Sequence, residues 1–535
     1  MRIKKLFLLC VVFILAVSAV FAGQFNYRFS SDEVQSLLLL ARLTGTALPE
    51  MTYPVTEETM KNLLSRIDPD KLTGEASKVY SELENKLENR SFLVSEQNSG
   101  FDLQTPVLIG EYSNDDGFLK YKDNKPLVSV NADVQITDFF AAEVDFDFRT
   151  EKDYNKNFHS LISLKDSISH DYPTKAYGSI GYSSVNFSIG RDRLSAGNGV
   201  TGNLELSENL LYQDYAKLSV LGGPLSYDFT VLVYDNPTDE NTIERYNFTN
   251  FTKSAFIHRF SAVFAKKVTV SLYEGAMAYG RGVVTDPRVL NPFMMIHNTF
   301  TYLHGNVNNF FGLDVTARLP YGLSFNFQGI VDQLKLGDEG DDSGKNAFGI
   351  LANLNGSWMA GKGVLTAYTE FVFTNSYLYL QESEDHFNGE DFDEYYPYYQ
   401  LDLVSAYRYF HSNHNEQAYI GYPYGPDLKV FAAGASYLLN GFTYSADIQF
   451  RIKGEFGIDT AHGESRSIWN HSENHNDEKT FSIALGAKGQ VAEGFDCSFR
   501  LGYSYSKNYR HSESDKSGFR FALSVTVDPL AFVRR

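Results

Sequence analysis

The chain has 535 residues, a formal charge of −19, 15% aromatic residues and a mean hydropathy of −0.27. Beyond its first residues no run reaches the roughly 20 apolar positions a spanning helix needs, which excludes a helical membrane protein, and the acidic balance excludes a nucleic-acid partner, which requires basic patches. Of the two cysteines, Cys10 falls in an export signal, so Cys497 stands alone and no intramolecular disulfide is expected.

In chain order, Arg2, Lys4 and Lys5 precede an apolar run and then Val20-Phe21-Ala22. This is the order of a secretory signal, residues 1–22, cleaved after Ala22. From Gly23 to about Val107 the apolar residues recur with a helical period. Ser31 with Asp32-Glu33 caps a first helix predicted to run to Arg42 and to stop near Gly45. Thr56-Glu57-Glu58 opens a second, to about Ile67, and Thr73 to Leu87 reads as a third. Residues 23–107 are expected as a small α-helical unit on the periplasmic side, a structural plug or folding aid.

From near Phe118 to Asp528 the period is two. Phe442 to Ile452 is the clearest case: Phe442, Tyr444, Ala446, Ile448, Phe450 and Ile452 share one face, and Thr443, Ser445, Asp447, Gln449 and Arg451 the other. Ala142 to Phe148 and Phe311 to Leu319 repeat the pattern, with Glu143, Asp145, Asp147, Asp314, Thr316 and Arg318 on the polar side. An Arg or Lys facing lipid at mid-depth costs about 2–4 kcal/mol, so the charged side is expected to face the inside of a closed barrel. Tight turns at 137–139, 222–224, 266–267, 320–321, 361–362 and 440–441 alternate with long polar segments, the longest at 375–427. The short turns are read as periplasmic. Starting with a strand near Phe118 to Lys122, this parity gives about 18 strands, within a bracket of about 16–20. The expected fold is an all-β transmembrane barrel of antiparallel strands, residues 108–535, in the outer membrane.

Two blocks carry candidate function. Ile189-Gly190-Arg191-Asp192-Arg193, then Gly197, Gly199 and Leu206-Ser207-Glu208-Asn209, lead from a strand into a Gly-rich loop; Glu274, Tyr279-Gly280-Arg281 and Leu290-Asn291-Pro292-Phe293 follow later. With these blocks the chain resembles the capsule-assembly Wzi family of outer-membrane proteins, and the order of a helical unit followed by a barrel is similar. The resemblance implies an 18-stranded barrel with a periplasmic helical bundle, acting at the cell surface in retaining or organising polysaccharide. The Leu194-Ser195-Ala196 insertion before Gly197 departs from that family's pattern of Trp and Gly-Pro-Gly.

From the residues themselves, Arg191, Asp192 and Arg193 are expected to form an ion-pair network that folds their loop into the lumen, a structural role weighed above ligand contact. Asn291 before Pro292 reads as a loop-fixing element and Arg281 as a candidate contact. Tyr395, Tyr396, Tyr398 and Tyr399, among Asp391, Asp393 and Glu394, offer ring faces and carboxylates to sugars, against the plainer reading of a solvated loop. His471 and His475 are four apart but in a polar loop, so no metal is assigned and no cofactor is expected. No serine or cysteine is placed with a base in register, so the chain is read as non-enzymatic. The expected partners are outer-membrane lipid, extracellular or capsular polysaccharide and the barrel-insertion machinery. The alternative function is a porin-like channel for small solutes.

Overall fold

The computed structural model describes residues 23–90, 92–96, 99–113, 126–150, 158–159, 168–170, 173–234, 251–281, 290–291, 307–333, 346–380, 403–408, 415–458 and 476–532. The export signal lies outside them. Three α-helices come first, α1 (Asp32–Thr44), α2 (Glu57–Leu64) and α3 (Glu75–Glu88). The Ser31 hydroxyl accepts from the Val34 amide at 3.3 Å, and Gly45 ends α1 at φ 65°, a left-handed turn that glycine adopts without strain. Thr56 caps α2 in the same manner. Their apolar faces pack together through Val34, Leu37, Met60, Leu63, Val79 and Leu83.

The strands follow: β1 (Val107–Ser113), β2 (Val128–Ile136), β3 (Phe140–Thr150), β4 (Ala176–Tyr182), β5 (Val185–Asp192), β6 (Gln213–Gly222), β7 (Leu225–Tyr234), β8 (Phe251–Phe264) and β9 (Val268–Arg281). The second half comprises β10 (Val307–Arg318), β11 (Leu323–Gln333), β12 (Ala347–Ala360), β13 (Gly363–Thr374), β14 (Leu428–Leu439), β15 (Phe442–Lys453), β16 (Glu478–Ala492), β17 (Phe495–Lys507) and β18 (Lys516–Val527). Each is antiparallel to the next, and β18 returns to β1 with Val527 opposite Val107 and Ala522 opposite Ser113, which closes an 18-stranded barrel. Closure leaves no sheet edge to be hydrated in the bilayer.

The opening strand differs from the expectation. Residues 118–122 lie outside the described residues, and the strand that meets β18 is Val107–Ser113. Ahead of it Ser99–Gln104 pairs with the far half of β2, and the break at Thr105-Pro106 is held by the Thr105 amide donating to Asp528 at 3.1 Å. Proline lacks the donor a continuous ladder needs. The strands Val404–Arg408 and Asn415–Tyr419 pair only with each other and add nothing to the barrel.

Turns of two to four residues join β2 to β3, β4 to β5 and so on to β16 and β17. Two of them, Ser183-Ser184 and Glu493-Gly494, carry no sequence signal as strong as Asn440-Gly441. The helical unit sits at this end: Lys267 donates to the Gly45 carbonyl at 2.8 Å, the Ala47 amide to Lys266 O at 3.2 Å, and the Gly441 amide to Glu75 at 3.4 Å. In an outer-membrane barrel the short-turn end is periplasmic. On β15 Tyr444, Ala446, Ile448 and Phe450 are exposed to the outside while Thr443, Ser445, Asp447 and Gln449 turn inward.

This register makes a direct prediction. Ile448→Arg, at mid-depth on the lipid side, is expected to lower unfolding free energy in bilayers by about 2–4 kcal/mol, while Gln449→Arg changes it little. Equal losses in a urea titration would contradict the assigned face.

Candidate functional site

The lumen is built by two segments that leave the periplasmic and extracellular ends and meet inside. The first is residues 46–56, between α1 and α2. Its backbone is satisfied by inward side chains of the wall: Thr269 donates to Leu48 O at 2.8 Å, Ser226 to Glu50 O at 2.7 Å, Lys217 to Thr52 O at 2.7 Å, and the Thr52 amide donates to Asp228 at 2.8 Å. The second is the connection 193–212 between β5 and β6. There Ser195-Ala196 pairs antiparallel with Tyr53-Thr52, so arm and loop share a short sheet.

At their junction stands Arg259 of β8, buried to 1% exposure. Its guanidinium donates to Glu50 at 2.8 Å, to Asp314 of β10 at 2.6 Å, and to Glu205 of the loop. Asn198 and Thr316 also donate to Glu50, at 2.7 and 2.5 Å. A buried guanidinium is tolerable only when paired and hydrogen-bonded in this way.

Above this point the loop is stapled across the barrel. Glu370 accepts from the amides of Val200 and Thr201 at 2.7 and 2.9 Å, Gln328 donates to Asn203 at 2.7 Å, and Tyr379 to Leu204 O at 2.7 Å. Tyr379, Tyr419, Ile420 and Tyr422 pack with Leu194, Leu204, Leu206 and the inward Leu232, Ile257, Tyr273 and Phe310 in one apolar cluster. That half of the lumen is solid.

The other half holds a cavity of about 850 Å³. Its far wall is small and polar: Thr480, Ser482 and Ala484 on β16, Gly502, Ser504 and Ser506 on β17, and Gly518 on β18. Facing it are Asn198 to Asn203 and Ser207 to Asn209 of the loop, with Tyr368 and Tyr424. It extends from Tyr509 and Lys516, at the outer strand ends, down to Phe29, Gln35 and Arg42 of the helical unit. Arg451 lies 4.4 Å over the Tyr424 ring and donates to Glu478 at 2.9 Å.

The sequence-derived candidates are distributed differently. Arg191 points outward at the extracellular end of β5, where Nε and Nη2 donate to Asp214 at 2.7 and 2.8 Å, Nη1 donates to Pro173 O at 3.4 Å, and the guanidinium stacks 3.9 Å from the Tyr212 ring. The expectation that strand charges all face inward therefore fails here. Near the interface such a charge costs only about 0–1 kcal/mol, and this one is paired. Asp192 points inward, fully buried, and accepts from Arg28 of the N-terminal segment and from the Arg193 amide at 2.8 Å. Arg193 donates to Leu211 O at 3.3 Å. The three neighbours thus serve three separate contacts, and none lines the cavity. Arg281 is the last residue of β9 and Asn291 is exposed. Tyr395, Tyr396, Tyr398 and Tyr399, with His471 and His475, lie outside the described residues. Glu208 does line the cavity and accepts from the Ser30 amide at 3.2 Å, and Asn209 beside it donates to Tyr419 O at 3.0 Å. Arg259, Glu50 and Glu205 were not singled out; alternation places Arg259 inward, but nothing local marks which distant carboxylates meet it.

No protein-family model matches the chain, and no curated protein sequence does. Among solved structures, Wzi, an outer-membrane protein involved in group 1 capsule assembly in Escherichia coli and described as a carbohydrate-binding β-barrel, superposes with a TM-score of 0.60 at 14% identity, covering 95% of this chain and 99% of that one. OprD from Pseudomonas aeruginosa gives 0.41 at 12% identity, over 83% of this chain and 98% of its own. The protein is an outer-membrane β-barrel. Its fold, an 18-stranded barrel with an N-terminal helical unit, is Wzi-like.

Arg259→Leu would strand Glu50, Glu205 and Asp314 without their cation. Loss of one partner from a buried ion pair costs about 3–5 kcal/mol, so the variant is expected to lose the heat-resistant, fast-migrating form on unboiled gels, whereas Glu205→Gln retains it. An Arg259→Leu protein as heat-resistant as the parent would contradict the assigned role.

Proposed function

We propose that the protein associates with extracellular polysaccharide at the cell surface, without catalysis, and that the lumenal cavity receives part of the saccharide. The observation that carries this reading is the cavity itself. Its volume of about 850 Å³ lies within the roughly 300–1,000 Å³ of sites that enclose small organic ligands. Its lining combines serine and threonine hydroxyls, asparagine amides, arginines and four tyrosines. Paired donors and acceptors match vicinal sugar hydroxyls, and tyrosine faces suit the C–H side of a pyranose. The carbohydrate-binding description of Wzi supports the same reading.

A porin-like channel is the second reading, favoured by the unfilled Ser, Thr and Gly wall of β16 to β18. Two measurements separate them. The purified protein is expected to retain surface polysaccharide of its own organism in a pull-down and to give no large, stable conductance in planar bilayers, and deletion of the gene is expected to release that polysaccharide into the medium. Porin-sized conductance with no retention of polysaccharide would replace this reading with the channel.

A further inference from the structure

The cavity's charges are unevenly matched. Its two carboxylates are engaged: Glu478 accepts from Arg451 at 2.9 Å, the Arg510 amide at 2.9 Å and Thr480 at 3.1 Å, and Glu208 accepts from Ser30. Four of its cations have no carboxylate partner among the described residues; one, Lys516, stands at the outer end over the Tyr509 ring, and the other three lie deeper. Arg42 of α1 makes one side-chain hydrogen bond, from Nε to Ser357 at 3.0 Å. Arg318, at the periplasmic end of β10, donates to Thr46 O at 3.1 Å and to Ser324 at 2.8 Å. Glu50, the carboxylate whose charge acts on Arg318, is already held by Arg259, Ser271, Thr316 and Asn198. Arg500 of β17 stands exposed to the lumen with no ion pair among the described residues.

Arg42 and Arg318 repel each other. Burial, and then the charge of Arg318, push Arg42 below the ordinary guanidinium range. Both line the same end of the cavity, Arg318 donating to Thr46 O just beyond the helix that carries Arg42, and an anion bound there would offset the repulsion of two like charges. Guanidinium groups are also the side chains best shaped to hold carboxylate, phosphate or sulfate oxygens in pairs. This surplus of positive charge sits inside a chain whose net charge is −19, so it is a local feature of the cavity.

We propose that Arg42 and Arg318, with Arg500 on the facing wall, form an anion site at the floor of the cavity, and that the saccharide received there is acidic, bearing carboxylate, phosphate or sulfate groups. The inference rests on the polysaccharide reading above and adds the ligand's charge and its point of attachment. Neutral hydroxyls at the upper cavity then serve the sugar rings, and the floor selects for charge.

The test uses the full, detergent-purified protein and three probes: hexagalacturonate, maltohexaose and sodium sulfate. Hexagalacturonate is expected to bind at least about tenfold more tightly than maltohexaose, since one charge-assisted hydrogen bond supplies about a factor of ten, and its binding is expected to weaken with salt. Arg42→Gln, Arg318→Gln and Arg500→Gln are each expected to weaken it about tenfold, and Arg42→Lys to recover part of the loss. Arg500→Gln guards against misfolding, because Arg500 holds no structural contact, and gel mobility before boiling checks every variant. Equal binding of the two hexamers, or variants that bind like the parent, would overturn the anion site while leaving the polysaccharide reading intact. Sulfate binding as tightly as the acidic hexamer would reduce the site to one for small anions and overturn the acidic saccharide. Failure to bind hexagalacturonate while whole polysaccharide is still retained overturns this inference alone. Failure to retain any polysaccharide removes the proposed function, and this inference with it.

Discussion

One buried cation organises the interior. Arg259 stands on the barrel wall and holds carboxylates from the N-terminal arm, the β5–β6 connection and the neighbouring β10. Asp314 on the wall supplies one partner, and the two in-folded segments bring Glu50 and Glu205 to complete the shell around the buried guanidinium. Ordering so long a loop costs conformational entropy. The offsetting terms are visible in the burial of Leu194, Leu204 and Leu206 and in the exchange of hydrogen bonds between loop backbone and wall side chains.

The filling is one-sided, and this gives the molecule its functional asymmetry. The wall from β6 to β14 holds the arm through polar side chains at its periplasmic half and packs the β5–β6 connection against apolar ones, among them Leu232, Ile257 and Phe310, above. The wall from β15 to β18 presents hydroxyls, glycines and arginines that no other described residue fills against. The cavity therefore lies chiefly along this side, reaching Arg318, Asn326, Asn355 and Tyr368 across the lumen and floored by the helical unit. Its depth, polarity and uncompensated guanidinium groups all follow from the same division of the lumen.

Much of this architecture was legible from the sequence. Alternation on β15 gave the correct faces, because one face meets lipid and the other water, and a register slip would invert both. Ser31, Thr56 and Gly45 marked helix ends because capping is a local hydrogen-bond requirement. What could not be read was which long connection folds inward. The 193–212 segment is richer in leucine than the long polar loops, but nothing local fixes its path, and the position of Arg259 and Asp314 across the sheet decides where Glu205 goes. Arg191 and Asp192 illustrate the same limit: adjacent residues on a strand point to opposite sides, so the motif that drew them together in one dimension separates them in three. The cavity residues Gln449, Arg451 and Arg318 were recognisable as inward, but not as members of one site.

The filled interior requires the arm and the loop to meet inside the lumen, where Thr52 lies directly opposite Ala196. Cα atoms of such facing residues approach within the roughly 4.4–6.8 Å range that a disulfide spans. A Thr52→Cys, Ala196→Cys pair in a Cys497→Ser background should oxidise on export to a single crosslinked species, recognised as one band that splits after cleavage between the two positions and reduction. Two free thiols, both open to a water-soluble maleimide added outside the cell, would contradict it.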